Sequence, residues 1–313
     1  MTNLRKLISI LWSAFLLASC DSHFASIVLA PASAQTIASP AELPYSLLHK
    51  TIVWYGIYRL DDATGDQKVT LPDDDAGFAK LSADNRYLVY MSQPVIPGQN
   101  LPIIGDTSIK MLDLLTGEER ILVSLEQSYP DAVSFAAPTF SMDGKKVIFV
   151  VEWEHFGDLV EVDLENNAVR RLNTNVVITN FGYPDISSQG QIVVICKGPE
   201  TTRTSELCLL NDNGNFIRYL TSEKYPWPGN ALFTPDGKYV IYESRYVLYK
   251  VSVDGTDRQQ LSSCGSPILV TEESVVAWCF ISQKPDCYSL FVVNLDGSNF
   301  RRLNYIEPHC SSQ

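Results

Sequence analysis

The chain has 313 residues, 45 % of them apolar, enough for one large domain with a substantial core or for two ordinary ones. A formal net charge of −12 argues against a nucleic-acid binder, which needs a basic face to neutralise phosphates. Fifteen tyrosines and 13 phenylalanines, against four histidines and four methionines, favour strands over helices.

Residues 1–20 read as a sorting signal. Arg5 and Lys6 precede a mostly apolar stretch, Leu7 to Ala18, which is shorter than the roughly 20 residues a spanning helix needs. The stretch ends in Leu17-Ala18-Ser19-Cys20, which resembles the bacterial lipobox. That resemblance implies a lipidated Cys20 as mature N-terminus, carrying several acyl chains where one alone would anchor only reversibly. Cleavage after Ala32-Ser33-Ala34, releasing a soluble protein that starts near Gln35, is an alternative, as is an uncleaved anchor. Each places the domain outside the cytoplasm. Residues 21–40, rich in Ala, Ser and Pro, read as a flexible tether, leaving 41–313 for the folded domain.

A ten-residue pattern then recurs. In chain order the copies are YSLLHKTIVW (45–54), LSADNRYLVY (81–90), FSMDGKKVIF (140–149), ISSQGQIVVI (186–195), FTPDGKYVIY (233–242) and the shorter VTEESVVAW (270–278). Each reads as an apolar residue, a small hydroxyl residue, a turn and a strand. In the fifth copy Pro235 pre-sets φ, Asp236 hydrogen-bonds nearby backbone and Gly237 tolerates positive φ. A second hairpin follows each copy, from IYRLDDATGDQKVTL to LFVVNLDGSNFRRL. Its turn is marked by Gly65, Gly117, Asn166, Gly214, Gly255 and Gly297, and Leu71, Val123, Leu172, Leu220, Leu261 and Leu303 each lie six positions later. A fixed gap is expected when the turn sets hairpin register and the later residue must face a core.

Each unit thus supplies four strands, at turn-to-turn spacings of 52, 49, 48, 41 and 42. Four-stranded repeats of this period define a β-propeller. The expectation is an all-β fold, a six-bladed β-propeller of four-stranded antiparallel blades, each built from consecutive strands. The longest insertion, Gln93 to Ser108, is expected to cap one face. The S/T-P-D-G-K unit followed by an apolar strand, D-G and a terminal R-x-L resembles the TolB-type propeller repeat. Phe233 to Tyr242 with Tyr249 to Leu261 carries the resemblance best, and Phe140 to Arg171 next. The chain departs from TolB in its lipobox and in leaving no room for TolB's N-terminal α/β domain, so TolB's role in the Tol–Pal system is not transferred.

Without Cys20, six cysteines remain, an even number that suits disulfides in an exported protein. Cys196 and Cys208 flank one strand-to-strand loop and Cys279 and Cys287 another, so each pair is expected to bridge. Cys264 and Cys310 are then left for each other. Buried free thiols are the alternative.

Candidate chemistry is sparse. No G-x-S-x-G, H-E-x-x-H or Cys-x-x-Cys occurs, and His49, His155 and His309 are isolated in the sequence. The acidic runs Asp61, Asp62, Asp66 and Asp73, Asp74, Asp75 miss the EF-hand pattern and read as solvated loop charge. No catalytic residue, metal site or cofactor is expected. Trp153, Tyr183, Trp278 and above all Tyr225 and Trp227, just before an innermost strand, are candidates for an aromatic binding face. The expected function is a non-catalytic, envelope-tethered module that binds an unidentified envelope protein or peptide and meets the membrane through its N-terminal lipid. The alternatives are an enzyme of the propeller lyase or peptidase-accessory type acting on an extracellular polymer, and a structural envelope protein without a specific ligand.

Overall fold

The computed structural model describes strands at 51–53, 57–59 and 67–69, and residues 76–302 except 93–94, 97–102, 105–106, 173, 180–182, 199–204, 222–227 and 281–287. The signal segment, the tether, Tyr225, Trp227, Cys287, Cys310, His49 and His309 lie outside the described residues.

Five four-stranded antiparallel sheets follow one another along the chain. Blade one comprises Ala76–Leu81, Tyr87–Ser92, Ser108–Asp113 and Glu119–Ser124. Blade two comprises Ser134–Phe140, Lys146–Glu152, Gly157–Asp163 and Val169–Arg171. Blade three comprises Asp185–Ile186, Ile192–Lys197, Ser205–Leu210 and Phe216–Tyr219. Blade four comprises Pro228–Phe233, Tyr239–Ser244, Val247–Ser252 and Arg258–Ser262. Blade five comprises Ser266–Val270, Ser274–Phe280, Tyr288–Asn294 and Arg301–Arg302. Among the described residues the propeller therefore has five four-stranded blades, not the expected six. Among the described residues the first unit gives a three-stranded sheet, Thr51–Val53, Ile57–Arg59 and Gln67–Val69. Its copy reads Ser46-Leu47-Leu48-His49, with none of the Pro, Asp or Gly that makes the reversal elsewhere. Thr51–Val53 lies beside the innermost strands of blades one and five. Within the Gln93–Ser108 insertion, Val95–Ile96 pairs with Ile103–Ile104.

The recurring turn works as its chemistry requires. The carboxylates of Asp84, Asp143 and Asp236 accept the hydroxyls of Ser82, Ser141 and Thr234 at 2.5, 2.6 and 2.7 Å. Each also accepts the backbone N–H two residues on, at 3.1 Å. The next residue turns left-handed: Asn85 at φ 57, Gly144 at 67 and Gly237 at 68. Asparagine tolerates that region better than most side chains. In the second hairpins Gly117, Gly214, Gly255 and Gly297 are left-handed, but in blade two the role falls to Asn167 rather than Asn166. The apolar residue that closes each hairpin is buried at Val123, Leu172, Leu220 and Leu261.

Two forces hold blade to blade. One is apolar: Phe135, Phe149, Val151 and Val160 pack with Met91 and Ile109 between blades one and two, and Leu207, Leu209, Val240 and Tyr242 pack between blades three and four. The other is a recurring stitch at the outer rim. Arg120 donates to the Asn167 side chain (3.3 Å), Arg218 to the Asp254 carbonyl (2.9 Å) and Gln259 to the Asp296 carbonyl (2.7 Å). In each case the outermost strand of one blade reaches the hairpin turn of the next, Arg218 doing so as the arginine of an R-x-L.

Disulfides join Cys196 to Cys208 and Cys264 to Cys279, with Cα atoms 5.9 and 5.5 Å apart. The first bridges diagonally across the two middle strands of blade three, where Cys208 pairs with Val194 and Cys196 with Glu206. The second replaces both other expected pairings, Cys279 with Cys287 and Cys264 with Cys310. Cys264 lies on the approach to Ser266–Val270, which pairs with the strand that carries Cys279, so the two cysteines meet across adjacent strands.

Candidate functional site: the channel ring and the loop face

Consecutive antiparallel strands place the hydroxyl–Asp–Gly turns and the second-hairpin turns at one end of the blades, and the connections between second and third strands and from blade to blade at the other. The innermost strands line the axis between. On them, the residue just before each copy occupies an equivalent position: Lys80, Thr139, Asp185, Leu232 and Leu269, one from each blade.

Three of these residues converge. Asp185 Oδ2 accepts the Phe233 backbone N–H of blade four at 2.8 Å, and Thr139 of blade two donates its hydroxyl to Oδ1 at a long 3.5 Å. The Ile186 backbone N–H also donates to this carboxylate. Lys80 of blade one is its charged counterpart. Burial pushes the Asp185 carboxyl up, against the pull of Lys80 and of these donors. Burial pushes the Lys80 ammonium down, against Asp185. Both residues are only half-buried by surface. Between blades four and five the axis is tied by Asn230, whose amide donates to the Pro267 carbonyl at 2.6 Å.

Loop-end aromatics gather on blade two. Tyr129, after the single-turn helix Leu125–Ser128, meets Trp153 edge-on with ring centroids 6.5 Å apart, and Phe156 stacks on Trp153 at 6.1 Å. The indole is fixed from below: its Nε1 donates to Asp158 at 2.9 Å, and Asp158 also holds Arg171 at 2.6 Å. Phe156 is 40 % exposed, Val133 38 % and Val177 46 %, so an apolar patch faces outward here. Gly157 permits it. A Cβ at Gly157 would sit 2.6 Å from Val150, and its N–H donates to Ile178 at 2.9 Å, bringing the loop with Val177 against the blade. The loop end of blade four is a two-residue hairpin of Arg245 and Tyr246, both left-handed at φ 53 and 64, where Asn-Gly is the usual filling.

Other candidates fall elsewhere. Trp153 joins the aromatic stack, Tyr183 packs between the cores of blades two and three and of blades three and four, and Trp278 is half-buried on the second strand of blade five. His155 is exposed, 3.9 Å from Glu154. Among the described residues no group of three His, Cys, Asp or Glu side chains is placed to hold a metal ion. The FTPDG turn lines a shallow pocket of about 420 Å³ with Tyr239, Lys250, Glu272 and Leu295. Its Asp236 is committed to the turn and Lys250 to the Leu295 carbonyl at 2.7 Å. Sequence pattern does not single out Lys80, Asp185, Tyr129 or Phe156. For the first two the signal was present: one column before the copies reads Lys, Thr, Asp, Leu, Leu, an ionic pair in a position otherwise neutral.

No protein-family model matches the chain, and no curated protein matches its sequence. Solved structures do resemble it. TolB from Acinetobacter baumannii is 18 % identical at a TM-score of 0.58, over 79 % of this chain and 58 % of that one. This chain thus spans 58 % of that TolB's length. Oligogalacturonate lyase from Vibrio parahaemolyticus is 15 % identical at 0.53, over 79 % and 71 %. A chain of a nidogen/laminin complex is 13 % identical at 0.59, over 83 % and 92 %. At these identities the likeness defines the fold, a TolB-like β-propeller, and leaves function to the residues.

Proposed function

We propose that this protein is a non-catalytic, exported propeller that binds a protein or peptide partner at the loop end of blade two. The observation that carries the reading is Phe156, exposed yet stacked on Trp153, which Asp158 in turn holds in place. A rigid aromatic platform beside Val133 and Val177 is the kind of anchor that dominates protein interfaces, because little conformational entropy is lost on binding. The resemblance to a chain of a nidogen/laminin complex fits a propeller used for binding. Export is supported by the two disulfides, which persist in oxidising compartments. The lipobox-like Leu17-Ala18-Ser19-Cys20 supports tethering through a lipidated Cys20, with residues 21–40 as the spacer.

A second reading, an enzyme acting on an extracellular polymer, draws on the likeness of the fold to that of oligogalacturonate lyase. Affinity purification of wild-type and Phe156→Ser protein from the native envelope tests the first reading. One partner that is retained by the wild type and lost from the variant is expected. Equal recovery by both, or turnover of uronic-acid polymers by the purified wild type, would overturn it.

A further inference from the structure

The pocket of about 420 Å³ beside the FTPDG turn lies between blades four and five, lined by Pro235, Asp236, Tyr239, Lys250, Glu272 and Leu295. Its volume falls within the roughly 300–1,000 Å³ of small-molecule sites. Lys250 brings a positive charge. Its ammonium sits 5.1 Å from the centroid of the Tyr239 ring and donates to the Leu295 carbonyl at 2.7 Å. That uses one of its three N–H donors. Asp296 feels the Lys250 charge but accepts the Ser298 N–H at 2.8 Å, and among the described residues no carboxylate forms an ion pair with Lys250. Glu272 brings the opposite charge, and its turn explains why it is available. In the FTPDG copy the carboxylate belongs to the turn: Asp236 Oδ1 accepts the Thr234 hydroxyl and the Lys238 N–H, and Oδ2 meets the Lys238 ammonium at 3.3 Å. The blade-five copy, Thr271-Glu272-Glu273-Ser274, closes without a carboxylate. There Thr271 Oγ1 accepts the Ser274 N–H at 3.0 Å and the Glu273 N–H at 3.4 Å. Glu272 is left exposed at the pocket, with no hydrogen bond or ion pair among the described residues. One ammonium with donors to spare and one carboxylate outside the turn's bonding thus share a pocket whose other walls are Pro235, Leu295 and the Tyr239 ring.

We propose that this pocket binds a free α-amino acid with an apolar side chain, its carboxylate on Lys250 and its ammonium on Glu272. A lone anion is repelled by Glu272 and a lone cation by Lys250, whereas a zwitterion satisfies both and adds no net charge. The apolar side chain lies toward Pro235 and Leu295. The pocket is built from turns at the opposite end of the blades from the aromatic patch, so it stands whether or not that patch binds a partner.

NMR titration of the full, nitrogen-labelled chain tests it, following the backbone amides of Tyr239, Lys250 and Leu295. The probes are leucine, leucinamide, which lacks the carboxylate, and N-acetylleucine, which lacks the ammonium. Leucine is expected to shift these signals saturably. Leucinamide is expected to bind roughly tenfold or more weakly, the factor of a charge-assisted hydrogen bond. N-acetylleucine loses only the exposed Glu272 and is expected to bind roughly two- to fivefold more weakly. In Lys250→Met leucine and leucinamide are expected to bind alike, and in Glu272→Gln leucine and N-acetylleucine alike. Glu272 is exposed and outside the turn's bonding, so its variant keeps the test open should Lys250→Met fail to fold. No saturable shift with leucine, equal binding of either analogue by the wild type, or discrimination retained in a folded variant would overturn the proposal.

Discussion

Replacing Asp185 by alanine removes one carboxylate that touches three blades. The Phe233 N–H, 2.8 Å from Oδ2, is left without an acceptor, and an unpaired buried donor costs about 1–3 kcal/mol. Lys80 loses the carboxylate whose charge favours its ammonium, which adds to the loss. Together the substitution is expected to destabilise by about 2–4 kcal/mol, a large share of the roughly 5–15 kcal/mol of a typical domain. Asp185→Asn keeps an acceptor for Phe233 and discards only the charge, whose burial already disfavours it, so it is expected to cost clearly less. Urea unfolding at neutral pH, followed by circular dichroism and tryptophan fluorescence, measures both, with the slope m unchanged if the folded state is intact. A cycle with Lys80→Met isolates the ionic part: the double variant should be more stable than the sum of the single losses by about 0.5–2 kcal/mol. A loss below about 0.5 kcal/mol for Asp185→Ala, within the range of ordinary surface changes, would refute the reasoning, and so would strict additivity in the cycle.

Other outcomes follow from the same geometry. The Tyr242 hydroxyl is fully buried and has no hydrogen-bond partner among the described residues, so Tyr242→Phe is expected to leave stability unchanged or raise it by up to about 1 kcal/mol in the same urea assay. Gly117 and Gly214 are both left-handed, but a Cβ at Gly117 meets nothing within 4 Å whereas one at Gly214 lies 2.9 Å from the Leu172 Cβ. Gly117→Ala should cost about 1 kcal/mol and Gly214→Ala clearly more, and equal costs would contradict the packing described. Acid separates two aspartates. Asp254 accepts the Ser252 and Thr256 hydroxyls and the Thr256 N–H, which pull its carboxyl down to about 2. Its contribution is present above the ordinary value of 3.8 and is lost as pH falls through the folded value. Asp185 is shifted the other way. Its contribution is fullest in acid and fades as pH rises from 3.8 through its higher folded value, so the stability advantage of wild type over Asp185→Asn should narrow upward across that window. Carbon-detected NMR titration of the two carboxyls reads both directions at once.

Much of this was legible in the sequence because the repeat is enforced locally. The hydroxyl–Asp–Gly turn needs only neighbouring residues, so it could be read residue by residue, and even Asn85 in place of glycine keeps the left-handed step. Reading by pattern failed where the outcome depends on distant partners. The fixed six-residue gap placed the blade-two turn at Asn166, but the hydrogen bond from Asp163 N–H to the Ala168 carbonyl puts the left-handed residue at Asn167. The first unit keeps the apolar spacing of a blade without its turn chemistry, and spacing alone counted it as a sixth. Disulfide pairing by loop length chose Cys287 for Cys279, whereas the bridge follows sheet adjacency and takes Cys264. Lys80 and Asp185 lie 105 positions apart, and only closure of the ring brings them to one level of the channel.

The proposal that the loop end of blade two is the binding face is tested most directly by photo-crosslinking in the native envelope. A photoreactive phenylalanine placed at Phe156 is compared with one at Thr256, in the tight turn at the opposite end of the propeller. A discrete protein adduct from position 156 and none from 256 is the predicted result. Adducts from 256 alone would contradict it.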